Sequence, residues 1–151
     1  MSVPPPPPAV VRAIESGRLA HLVTINPDGS PHVTIVWTGW DDAAGEVIIG
    51  KLAVDQKVRN IRRDARVSLS IEAEGGHLGM GNYLVVEGTA TVTEGGAAKL
   101  LHDLAQRYVG PGTKFPPMDE PPAGFVIRIT PSRWRGMGPW HEGVAGAGNP
   151  A

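Results

Sequence analysis

Apolar and polar residues alternate with a period of two over most of this chain and shift to a period near 3.6 in only a few places. Residues 9–16 carry Val10, Val11 and Ile14 on one side of a short helix that Gly17 ends. Leu19 to Ile25 is rich in β-branched residues and reads as a strand. Asn26-Pro27-Asp28-Gly29 is a turn, because Pro presets the backbone and Gly accepts a positive φ. His32 to Thr38 follows, with Val33, Ile35 and Trp37 on one face, so the two runs predict an antiparallel hairpin. A second turn over Asp41 to Gly45 leads to a strand over Glu46 to Lys51.

The period then changes. Val54, Val58, Ile61 and Ala65 form one stripe of an amphipathic helix, with Asp55 placed as its N-cap. Arg66 to Glu72 returns to a strand with Val67, Leu69 and Ile71 on one face. Tyr83 to Thr93 is a long strand with Leu84, Val86, Gly88, Ala90 and Val92 on one side. Gly95 to Val109 predicts a helix that buries Leu100, Leu101, Leu104 and Tyr108. A Pro-rich loop over Thr113 to Gly124 precedes the last strand, Phe125 to Trp134. The expectation is a mainly β domain of six antiparallel strands with flanking helices. Sheets of that kind close or fold over to hide their edges.

Composition narrows the classes. With 151 residues, 41% of them hydrophobic, one core is expected. It falls in a domain over residues 9–140, between a Pro-rich tail (1–8) and a Gly-rich tail (141–151). A net charge of -1 argues against a nucleic-acid partner. The absence of cysteine excludes disulfides, thiolate catalysis and Cys-ligated metals. The five prolines at 4–8 do not fit a signal peptide, and no apolar run reaches the ~20 residues of a membrane span. A cytoplasmic protein with no membrane partner is expected.

Charge is concentrated in one segment. Lys51, Lys57, Arg59, Arg62, Arg63 and Arg66 outnumber Asp55 and Asp64 between residues 51 and 66. The segment starts where a strand passes into a helix, whose first N–H groups are free to bind an anion. Lys57 lies in the first turn, with Asn60 one turn later. A phosphate cradle and a solvated basic face both fit this pattern. The five histidines show no metal-ligand spacing, and no metal site is expected; His21 and His32 are placed to face each other across the first hairpin. No Gly-x-Ser-x-Gly occurs, and Gly79-Met80-Gly81 reads as a flexible loop. Trp37 reads as core; Trp134 and Trp140 read equally as walls of a ring pocket or as packing. No catalytic residue is assigned. An enzyme built from these residues would borrow its chemistry from a cofactor.

Three segments, in this order, carry a resemblance: Thr24-Ile25-Asn26-Pro27-Asp28-Gly29-Ser30-Pro31-His32, Gln56-Lys57-Val58-Arg59-Asn60-Ile61-Arg62-Arg63-Asp64-Ala65-Arg66-Val67-Ser68 and Val86-Glu87-Gly88-Thr89-Ala90. Together they resemble the pyridoxamine 5′-phosphate oxidase-like split-barrel superfamily. More closely they are similar to its B group of flavin/deazaflavin oxidoreductases, which use coenzyme F420. The resemblance implies a six-stranded antiparallel split β-barrel and a homodimer with cofactor sites at the interface. It implies that Lys57 holds the cofactor phosphate, with Asn60 and Gln56 beside it. Thr34, Ile35, Val36 and Trp37 would run along the ring, and Ile49, Gly50 and Lys51 would line the floor. The partner subunit would add Met80, Gly81, Asn82, Tyr83 and Trp134. Relatives often carry Arg where this chain has Asp55, which leaves one phosphate contact to Lys51 or Arg59. The implied activity is hydride transfer from reduced deazaflavin to a small electron-poor acceptor (an enone, a quinone or a tetrapyrrole). An FMN-binding oxidase of the same fold and a non-enzymatic F420 carrier are the alternatives.

Overall fold

A computed structural model describes residues 4–140. The expected Gly-rich tail at 141–151 lies outside the described residues, as do residues 1–3 of the Pro-rich tail. The elements in chain order are α1 (Pro8–Ile14), β1 (Ala20–Ile25), β2 (Pro31–Val36), β3 (Gly39–Asp41), β4 (Glu46–Lys51), α2 (Gln56–Arg63), β5 (Arg66–His77), β6 (Met80–Glu94), α3 (Ala97–Tyr108) and β7 (Phe125–Met137). The strands form one antiparallel sheet in the order β2-β1-β5-β6-β7-β4-β3. This is the mainly β, split-barrel class expected, with two corrections. Seven strands replace six, because the short β3 follows directly on the Trp37-Thr38 stretch and carries no periodic signal of its own. The sheet also stays open, with β2 and β3 as its edges.

Long strands carry the core. Leu69 and Ile71 of β5, Leu84 and Val86 of β6, and Ile127 and Ile129 of β7 are buried on one face, together with Leu22, Val47 and Ile49. Val10 and Ile14 of α1 and Val58 and Ile61 of α2 join the same cluster. Each such side chain contributes about 1.5–3 kcal/mol on leaving water. Trp140 also belongs to this core, and its indole N–H donates to the Tyr83 carbonyl at 2.9 Å. Packing is therefore the role the structure gives Trp140, as opposed to a wall of the site. β6 and β7 slip register between Glu87 and Gly88, where Ser132 is the extra residue. Gly88 is required there: a Cβ would stand 2.1 Å from the Thr130 carbonyl oxygen.

Several local expectations change. Hairpin β5–β6 extends to His77 and resumes at Met80, so Met80 and Gly81 are strand and not loop. The β1–β2 register sets His21 opposite Ile35 and His32 opposite Thr24, so the two histidines do not meet. Helix α2 ends at Arg63, and Val54 and Ala65 of the expected stripe lie outside it, exposed. The shared face of Val33 and Ile35 points outward, with those side chains 55% and 60% exposed. Among the described residues no helix is long and apolar enough to cross a membrane.

Candidate functional site

Helix α2 begins where the basic segment predicted it. Asp55 caps it by accepting from the Val58 backbone N–H at 3.2 Å, and Val58 and Ile61 anchor its inner side. The cap places Lys57 in the first turn, pointing inward; it is only 6% exposed. Its ammonium donates to Asp55 Oδ2 at 2.5 Å. Lys51, at the end of β4, reaches the same oxygen at 2.8 Å. Two cations thus share one carboxylate oxygen.

The electrostatics follow from that arrangement. Burial opposes ionisation of Asp55, yet hydrogen bonds from Lys51, Lys57 and the Val58 N–H outweigh it and hold its carboxyl at about 2, down from 3.8. Burial lowers the Lys57 ammonium below its ordinary value, and the Asp55 carboxylate opposes that shift. Because the folded-state value of Asp55 lies below the unfolded one, its stabilising contribution is complete above pH 3.8 and is lost as pH falls toward 2. Asp64, held at about 2 chiefly by its bond from Arg66, titrates in the same window. Unfolding midpoints recorded across that window are expected to fall less steeply for Asp55→Asn than for the parent protein. Identical slopes would mean that Asp55 carries no acid-sensitive stability.

A cavity of about 470 Å³ opens beside these lysines. Its lining includes Ile35 and Val36 from the end of β2 and Trp37 just after it, Ile49, Gly50 and Lys51 from β4, and Lys57 from α2. Seven of the expected site residues therefore meet around one space. Leu52, Ala53, Leu101 and Phe115 complete it, and none of these was expected from sequence. Trp37, which its periodicity placed in the core and the resemblance along the ring, is a wall of this space. Its ring stacks on Tyr108 at 5.1 Å with planes 10° apart, and Phe115 leans on it at 5.2 Å. Tyr108 is itself fixed, accepting from the Thr38 N–H and donating to the Arg18 carbonyl, both at 3.0 Å. Gly50 lets α3 approach, since a Cβ would stand 2.8 Å from Leu101 Cγ.

The other expected residues stand elsewhere. Asn60 is fully buried, and its amide is engaged within the chain. It donates to Thr24 Oγ1 and Asn26 Oδ1 at 3.0 Å each, and accepts from Gln56 at 2.8 Å. Gln56 is thereby tied to Asn60 and donates nothing to the cavity lining. Asn60 thereby fastens α2 to β1, and neither residue is among those lining the cavity. Thr34 lies on β2 just before the cavity-lining residues, and its hydroxyl is buried with no hydrogen-bond partner among the described residues. Gly81, Asn82 and Tyr83 line a separate hollow with Arg18 and Glu72, and Met80 is exposed near the β5–β6 turn. Trp134 lies beside Trp40 and the prolines at 4–6. Those five residues, which the resemblance assigns to a second subunit, are not brought to the cavity by their own chain.

The donor set suits a particular class of ligand. Two ammonium groups suit an anion such as a phosphate. Trp37, Phe115 and Ile35 suit a flat ring system. The volume lies in the ~300–1,000 Å³ range of small-molecule sites. Among the described residues the ionisable side chains of the lining are Lys51 and Lys57.

Comparison with known proteins agrees with the fold. The family model for pyridoxamine 5′-phosphate oxidase matches residues 6–138. A solved structure of a conserved hypothetical protein from Mycobacterium tuberculosis is 31% identical, covers 84% of this chain and 81% of its own, and superposes with a TM-score of 0.65. A structure described as an F420 reductase is 27% identical over 81% of this chain and 92% of its own, with a TM-score of 0.63. A heme binding protein from Mycobacterium smegmatis, at 19% identity, 87% and 54% coverage and a TM-score of 0.59, shares the fold alone. Since one family model spans every strand of the sheet, this chain belongs to the pyridoxamine 5′-phosphate oxidase-like split-barrel family.

Proposed function

We infer that this cavity holds the deazaflavin coenzyme F420 and that the protein is an F420-dependent reductase of a small, electron-poor molecule. The observation that carries this reading is the meeting of Lys51, Lys57, Trp37 and Phe115 around one space. Lys51 and Lys57 would hold the phosphate. The segment from Ile35 to Trp37, at the end of β2 and just beyond it, would run along the ring. Arg59 and Arg62 are exposed on α2 and give an anionic tail further cations to follow. The likeness to an F420 reductase favours the deazaflavin over FMN. When bound in its reduced form, the coenzyme supplies a hydride to an acceptor such as an enone, a quinone or a tetrapyrrole.

The chain's own residues bind, orient and exclude. Ile35, Ile49, Leu101 and Phe115 keep water from the ring. Protons come from solvent; among the described residues the ionisable groups of the lining are Lys51 and Lys57, which the phosphate engages. A second copy of the chain supplies the remaining cover. Residues paired across the outer face of the sheet run Ile35, His21, Ser70, Val85, Arg135, and in the next row Val33, Val23, Ser68, Glu87, Arg133. This face mixes apolar with paired charged groups, and Ile35 joins it to the cavity. A homodimer covering it would bring a second chain to the open side of the site. Sedimentation as a monomer at micromolar concentration would remove that partner.

The reductase reading is tested by mixing the protein with reduced coenzyme F420 and a panel of enones, quinones and biliverdin, following oxidation of the coenzyme in the visible region. Turnover of at least one acceptor class is expected. Tight binding without turnover of any would leave a carrier and overturn the reductase.

A further inference from the structure

The anion seat already contains an anion. Asp55 Oδ2 receives both Lys51 and Lys57, at 2.8 and 2.5 Å, so the two cations and one carboxylate leave a single net positive charge. The carboxylate does not exhaust the donors. An ammonium has three N–H bonds, and each lysine gives one to Asp55. Two remain on each for a ligand. What the carboxylate changes is charge: any anion reaching these lysines also comes close to Asp55.

That proximity weighs on ligands unequally. A phosphate monoester carries about -1.5 to -2 at neutral pH, whereas a diester carries one negative charge. Each added negative charge is repelled by the carboxylate, which is partly exposed beside the buried Lys57, so water screens the repulsion only in part. A site of net charge near one is matched by one negative charge on the ligand.

We propose that Asp55 makes this site select a phosphodiester, as in coenzyme F420, over a phosphate monoester, as in FMN. The proposal rests on reading the cavity as a phosphate site. Asp55 is then a specificity-determining residue that never needs to touch the ring. Held well below the ordinary carboxylate range, it stays ionised throughout the neutral region, so the selection does not switch with physiological pH.

Asp55→Asn isolates the charge. Asn caps helices as well as Asp does, so α2 keeps its start. Titrated at pH 8, the variant is expected to bind FMN about tenfold or more tightly than the parent, and coenzyme F420 less than about threefold more tightly. Riboflavin, which has no phosphate, is expected to be unaffected. Asp64→Asn, at the far end of α2 and paired with Arg66, is expected to change neither affinity. Equal tightening for both cofactors, or none for FMN, overturns the proposal. The same proteins titrated with phenyl phosphate and methyl phenyl phosphate read the selection without the cofactor's fused ring system. If no ring cofactor binds but the monoester alone gains affinity, the reductase reading falls and the charge selection stands. If neither ester responds to the substitution, the selection falls.

Discussion

Asn60→Leu is expected to lower the unfolding free energy by about 2–4 kcal/mol, read as a lower urea midpoint with an unchanged m value. Leucine keeps the volume, so the loss comes from polar groups and not from a cavity. Thr24 is fully buried, and Asn60 is its hydrogen-bond donor. Asn26 and Gln56 lose partners in the same step. The bonds to Thr24 and Asn26 join positions more than thirty residues apart, so they hold α2 against β1. Ligand affinity in the folded variant is expected to fall less than tenfold, because Asn60 is not part of the cavity lining. A stable variant that had lost all phosphate binding would give Asn60 the direct contact that its position here denies it.

Lys57→Met is expected to behave in the opposite way. Binding of the phosphorylated cofactor weakens by about 1.5–3 kcal/mol, or roughly ten- to a hundredfold, the usual worth of a charge-assisted hydrogen bond. Stability changes little. The buried ammonium is held against a desolvation cost, which methionine removes, and Asp55 keeps Lys51 as its partner. Arg66→Ala serves as the control, since Arg66 is exposed and paired with Asp64 beyond the helix. Isothermal titration and thermal unfolding on the same preparations separate the two effects. Equal affinity for the parent and Lys57→Met would place the phosphate elsewhere.

The contrast between these two neighbours shows what sequence can carry. Lys57 and Asn60 sit one turn apart on a short helix with a readable cap, and from sequence both point to one anion. Lys57 does line the cavity. Asn60 is diverted by Thr24 and Asn26, polar residues of a distant hairpin whose contact with α2 is set only by the closed packing of the domain. The same limit hid Phe115 and Leu101. Phe115 lies in a loop without periodicity, where a lone aromatic among prolines was the one available signal. Leu101 sits in a helical stripe that reads as core, and reaches the cavity because Gly50 opposite has no side chain.

Exposure was equally hard to read. Val33 and Ile35 alternate like a buried face, yet β2 is an edge strand, and its apolar side looks away from the core. Period alone specifies that two faces differ, not which one the chain covers. Conversely, the hairpins, the α2 cap and the buried stripes of β5 and β6 were legible, because local turn chemistry and alternation agree there with the packed structure.

The central claim is that the cavity beside Lys51, Lys57 and Trp37 is a site for a phosphorylated deazaflavin. Titrating the purified protein with oxidised coenzyme F420 and, in parallel, with FMN tests it most directly. Saturable binding of coenzyme F420, tighter than that of FMN and weakened by Lys57→Met, is the expected result. Absence of saturable binding to either, or tighter binding of FMN, would contradict it.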